Sequence, residues 1–73
     1  MTTKADITIS KLIDEGWTIS HTATHTSYLP AGTITPMQSR KGVDYCRVHH
    51  GKSARAHGFS YQVTTVMARK VNR

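Results

Sequence analysis

Residues Trp17 to Leu29 read WTISHTATHTSYL. Trp17, Ile19, His21, Ala23 and His25 alternate with Thr18, Ser20, Thr22, Thr24 and Thr26. A period of two is the pattern of a β-strand, in which successive side chains leave opposite faces. The β-branched threonines suit a pleated surface, but their face is too polar to form a deep core. Upstream, Ala5, Ile9, Leu12 and Ile13 recur at helical spacing, which predicts a short helix over about residues 4–15. Thr3 can cap its start with Asp6 in the first turn, and Gly16 stands just past its end, where a left-handed residue closes the last carbonyls. Trp17 then falls where it can pack back on Leu12.

Downstream, Pro30, Gly32 and Pro36 punctuate the chain and Gly42 closes the basic stretch QSRKG, so a loop over residues 29–42 is expected to interrupt the sheet. Val43 to His49 reads as a second strand, with Val43, Tyr45 and Arg47 on one side and Cys46 and Val48 on the other. Phe59 to Val71 reads as a third, with Phe59, Tyr61, Val63, Thr65 and Met67 on one face and Val66 and Ala68 on the other. Between them HHGKSARAHG, rich in small residues and cations, predicts a flexible positive hairpin loop. Residues 70–73 are expected to fray. The expected fold is α+β, a single small domain over residues 1–73. Its one short N-terminal helix packs through Ile9, Leu12 and Ile13 onto a three- or four-stranded, mainly antiparallel sheet. Trp17, Ile19, Val63 and Met67 are the expected core.

At 73 residues the chain holds one core, and with 37% hydrophobic residues and five large aromatics that core is one sheet face against one helix. Such a core supplies only a few kcal/mol of stability and argues against a buried multi-residue enzyme cleft. No stretch approaches the roughly 18–20 apolar residues of a membrane span. The single thiol, Cys46, excludes a disulfide scaffold. The N-terminal MTTKADITIS has no apolar run of the secretory kind, so a cytoplasmic setting with Cys46 reduced is expected.

The formal charge of +6 is unevenly spread. Residues 1–39 carry Lys4 and Lys11 against Asp6, Asp14 and Glu15, a net of −1. Residues 40–73 carry eight cations, Arg40, Lys41, Arg47, Lys52, Arg55, Arg69, Lys70 and Arg73, against Asp44 alone, a net of +7. Charge gathered in this way points to a polyanionic partner, either nucleic acid or an acidic protein patch.

The motifs of chemistry are weak by comparison. On a strand, His21 and His25 stand about 13 Å apart, too far to share an ion. Cys46, His49, His50 and His57 surround one hairpin but lack the second half of a zinc motif, so exposed histidines extending a basic surface are expected, with no metal and no cofactor. Gly51-Lys52-Ser53 resembles the end of a phosphate-binding loop, yet Cys46 stands where its first glycine belongs. Cys46 and His49, three apart on a strand, point to opposite faces and make a poor nucleophile pair. No enzyme is expected.

A nucleic-acid or polymerase-binding set is expected instead: Arg40, Lys41, Arg47, His50, Lys52, Arg55, Arg69 and Lys70, interleaved with Tyr45 and Tyr61. Such cations neutralise phosphates. Ordinary sheet packing is the favoured role for the two tyrosines, and no motif for sequence-specific readout is present.

In length, charge and helix-then-sheet layout the chain is similar to the small phage-encoded proteins that bind RNA polymerase, inhibit host promoter use and antiterminate transcription. The resemblance covers the whole chain in outline. It implies binding to the polymerase β′ N-terminal region and β flap beside the RNA exit channel, in the host cytoplasm, with RNA or upstream DNA as a further contact and no membrane. There the protein would displace part of the promoter-specificity factor and hinder terminator hairpins. The segment Lys11-Leu12-Ile13-Asp14-Glu15-Gly16-Trp17 also looks like the helix end of small bacterial domains with an EGW signature, which implies a similar α+β layout and no activity. A stand-alone, non-sequence-specific nucleic-acid binder and an inhibitor of a host defence nuclease are the alternatives.

Overall fold

The computed structural model describes residues 3–26, 28–56 and 58–71. In chain order the elements are α1 (Lys4–Asp14), β1 (Thr18–His25), β2 (Ile34–Arg40), β3 (Val43–Ala56) and β4 (Phe59–Lys70). The strands form one open antiparallel sheet in the order β1-β4-β3-β2, with α1 packed mainly on β3, an α+β fold as the sequence predicts.

Both ends of α1 follow from local chemistry. The Thr3 hydroxyl accepts from the Asp6 N–H at 3.1 Å and the Asp6 carboxylate accepts from the Thr3 N–H at 3.2 Å, a reciprocal capping box. At the other end Gly16 takes φ +97°, its N–H donates to Ile13 at 3.0 Å, and the Trp17 N–H donates to Leu12 at 2.9 Å. This is the paired closure of a Schellman end, and it delivers Trp17 onto the helix it terminates.

The core lies between α1 and one side of the sheet. Ala5 and Leu12 meet Cys46, Val48 and Met67, with Ile9 and Trp17 half-buried against them. Two expected core residues lie outside it. Ile13 is 49% exposed and Ile19 56%, because a single helix centred on β3 covers one strand's width and leaves the flank over β1 bare. Val63 is only half-buried, whereas Ala5, on the apolar helix face read from the sequence, is fully buried.

Two segments expected to be loops are strands. Ile34 to Arg40 forms β2, with Ile34 opposite Val48, Pro36 opposite Cys46 and Met37 opposite Tyr45. Pro36 fits because β2 is an edge, where a missing N–H faces solvent. The basic stretch after His49 stays in β3 as far as Ala56, with an irregularity between His49 and Ser53 where Gly51 takes φ +69°. Ser53 stands opposite Gln62, the last β4 residue paired with β1, and Ala54 to Ala56 pair with Tyr61 to Phe59 beyond the last pairs of β1 and β2, so the hairpin leaves the sheet as a two-stranded arm. Small and charged residues read as a loop because a ribbon wet on both sides needs no apolar alternation. At the C terminus Lys70 still pairs with Val43 and the Val71 N–H donates to Gly42 at 2.9 Å; residues 72–73 lie outside the described residues.

The connection from β1 to β2 must cross from one edge of the sheet to the other, and three contacts hold it. Gly32 donates to the His49 carbonyl at 2.8 Å, the His49 N–H donates to Thr33 at 3.0 Å, and the Thr8 hydroxyl lies 3.2 Å from the Gly32 carbonyl. Gly32 sits at φ +85° with the Lys4 carbonyl 3.2 Å from where a Cβ would stand, so only glycine passes beneath the helix here.

Candidate nucleic-acid-binding face

Strand alternation divides the sheet into two sides. Cys46, Val48, Thr65 and Met67 face α1, as does Asp44. Val43, Tyr45, Arg47 and His49 of β3 face the other way, with Gln62, Thr64, Val66 and Ala68 of β4. Among the described residues no helix packs on this second side, the open face; the β1–β2 connection crosses one end of it, where the Leu29 backbone meets the Gln62 side chain.

The carboxylates are all on the helix side. Asp6, Asp14 and Glu15 belong to α1 and its cap, and Asp44 accepts from the Ser39 hydroxyl on the flank of the helix-side cavity. The Asp6 carboxyl is held below its ordinary value, first by the Thr3 N–H, then by the Thr3 hydroxyl, with smaller contributions from the charges of His50 and Lys52. The open face therefore carries cations with no acidic residue among them.

The eight expected site residues separate under this geometry. Arg40, Val43 and Lys70 are cross-strand neighbours on the open face, and Arg47 and Arg55 project from the same side of β3. Lys41 sits in the β2–β3 turn at φ +51°. Three others belong elsewhere. Arg69 lies on the helix side with its guanidinium 4.6 Å from the Trp17 ring centroid, a cation–π contact that commits it to the fold. His50 is also on the helix side, its Nε2 2.6 Å from the Thr65 hydroxyl. Lys52 lies in the irregular stretch of β3, close enough to the start of α1 to act on Asp6.

Beneath the cations runs a buried polar network that sequence reasoning missed. His49, expected on an exposed basic surface, is fully buried together with Gln62 and Thr64. The Gln62 side chain pairs with the backbone of Leu29, its Nε2 donating to the carbonyl and its Oε1 accepting the N–H at 3.1 Å. The same Oε1 lies 2.7 Å from His49 Nδ1, so Nδ1 carries the proton, and Nε2 accepts from the Thr35 hydroxyl at 2.9 Å. Arg47 donates to the Thr64 hydroxyl at 2.9 Å, which donates onward to the Ala23 carbonyl at 3.0 Å. The ring of His25 meets that of His49 edge-on at 5.9 Å. Among the described residues no buried side-chain polar atom lacks a partner. The readable signal was the polar alternation Gln62-x-Thr64 facing His49 across the pair.

Toward the other end of the open face lies a furrow of about 380 Å³. Val66 and Tyr45 form its floor, Met37, Gln38 and Arg40 of β2 one wall, and Ser20 and His21 of β1 the other. Tyr45, for which sheet packing is the favoured expectation, is half-buried, stands on this face by strand alternation and lines the furrow.

Neither family models, nor curated proteins, nor solved structures match this chain. Cys46 is buried on the helix side, where burial pushes its thiol up and the Arg69 charge opposes this in part, while His49 faces the other way, so the two form no nucleophile pair. Among the described residues no three potential ligands converge on a metal position; His57 lies outside the described residues. No helix among them is long and apolar enough to cross a membrane.

Proposed function

We propose that the protein is a small non-enzymatic regulator that lays its open sheet face against nucleic acid. One observation carries this reading: all four carboxylates lie on the helix side, while Arg40, Arg47, Arg55 and Lys70 share the open face. A cationic surface free of carboxylates attracts phosphates without internal competition. The resemblance to phage polymerase-binding proteins supplies the setting, bacterial RNA polymerase beside the RNA exit channel, with the β′ N-terminal region and β flap as protein contacts. On this reading the exposed Ile7, Ile13, Ile19 and Ile34 around the helix layer meet protein while the open face meets emerging RNA. Initiation at promoters is inhibited and terminator hairpins are hindered.

The test uses purified bacterial RNA polymerase and the tagged protein. Retention of polymerase, with readthrough of an intrinsic terminator that Arg40→Glu with Lys70→Glu abolishes, is the expected result. If polymerase is not retained while bare RNA shifts on a gel with steep salt dependence, the protein is a stand-alone binder. If neither binds, the reading is wrong.

A further inference from the structure

Resting on the reading of the open face as a nucleic-acid surface, we propose that the furrow between β1 and β2 seats one nucleotide of a single strand, its base on Tyr45 and its phosphate at Arg40. A volume of about 380 Å³ lies in the range of small-ligand sites. The chemistry of its parts matches a nucleotide. The floor is apolar and aromatic, made by Tyr45 with buried Val66, and half-buried Met37 extends it toward the β2 wall. The rim is polar, with Gln38 and Arg40 on one wall and the Ser20 hydroxyl, bonded to His21 Nδ1 at 3.0 Å, on the other.

The cations differ in availability. Arg47 is engaged by Thr64 and Arg69 by Trp17, whereas Arg40 is exposed and has no carboxylate or hydrogen-bond partner among the described residues. Lys70 stands on the same face across Val43, two strand spacings or about 10 Å from Arg40 by Cα, so the two can serve neighbouring phosphates. The occupant is single-stranded because of shape. The furrow is about three strand spacings wide, roughly 14 Å, and an unpaired base can turn its flat face onto Tyr45, whereas a duplex presents its backbone and hides its base faces. Stacking on one ring is tolerant of base identity, in keeping with the absence of a sequence-reading motif.

A ten-nucleotide oligouridylate carrying 4-thiouridine serves as the probe, with binding followed by anisotropy and photocrosslinks mapped by mass spectrometry. Crosslinks at Tyr45 and Met37 are expected. Tyr45→Ala should weaken binding about tenfold or more, and Tyr45→Phe, which keeps the ring, should stay within about twofold of the parent. Arg40→Gln, at an exposed position that leaves folding intact, should weaken binding and reduce the salt slope by about 0.7. Crosslinks confined to the arm around Lys52, Arg55 and Phe59, with Tyr45→Ala binding normally, overturn the furrow and leave the nucleic-acid reading standing. Equal competition by an RNA duplex overturns the single-strand assignment. Loss of all polynucleotide binding in the parent protein overturns the reading of the face itself.

Discussion

The two sides of the sheet are held by different physics. On the helix side Met67, Val48 and Leu12 exclude water by apolar contact, and cohesion scales with buried area. On the open face no helix among the described residues covers the strands, yet His49, Gln62 and Thr64, beneath the β1–β2 connection at Leu29, are as deeply buried as Met67. There cohesion comes from hydrogen bonds that, among the described residues, leave no buried side-chain polar atom unpaired, and the connection through Leu29 is pinned by the Gln62 amide acting as a surrogate strand. A chain with too few apolar residues for two cores thus gives most of its buried apolar side chains to one side and, with Val66, a satisfied polar network to the other. The face without a helix is the one that carries Arg40 and Lys70 outward.

Two substitutions sharpen or break this contrast. Met67→Ala removes the largest fully buried apolar side chain and should cost about 4 kcal/mol, within the ~2–5 range for such truncations. In a fold with only a few kcal/mol in hand, that leaves the chain unfolded at 25 °C by far-UV circular dichroism. Gln62→Leu keeps the volume but strands the Leu29 backbone and His49 Nδ1, and should cost about 2–3 kcal/mol, with faster amide exchange at Leu29 and Gly32. A larger loss for Gln62→Leu than for Met67→Ala would place the organising centre on the open face and reverse the comparison.

The smallest effect belongs to the start of α1. Thr3→Ala should cost about 1 kcal/mol by urea denaturation. The partner in that capping box adds a pH signature. Because the folded state holds the Asp6 carboxyl below its unfolded value near 3.8, Asp6 contributes stability above that value and loses it as pH falls through the lower folded one. The advantage of the parent over Asp6→Asn should be flat above about pH 5 and fade below about pH 4. An advantage that grows on acidification would refute the assignment.

Local chemistry left legible traces at α1. The Thr3–Asp6 pair, the Gly16 closure and the Trp17 return contact were readable because each depends on residues a few positions apart. The alternation in β3 and β4 likewise assigned Cys46 and Val48 to one side and Tyr45 and Arg47 to the other. In β1 the single face read for Ile19, His21, Ala23 and His25 is split by the irregularity between Ile19 and His21, which leaves Ile19 on the helix side and turns the three others to the open face. Composition misled at β2 and at the arm, where Pro36, Gly51 and small polar residues look like loop until the strand beside them is known. The cationic half was visible as a sum of charge. Its division was not, since Arg69 and Arg40 are equivalent in sequence and opposite in placement.

What the sequence by itself determined was the set of elements whose cohesion is local: a capped helix, alternating strands and an excess of positive charge toward the C terminus. Only the tertiary structure decided which strands lie next to one another, that His49 is buried against Gln62, and that the carboxylates gather on one side while Arg40 and Lys70 flank Val43 on the other. The physical reason is that pairing between strands far apart in the chain sets which side chains share a face and which of them water can reach, and no spacing within one segment encodes that choice.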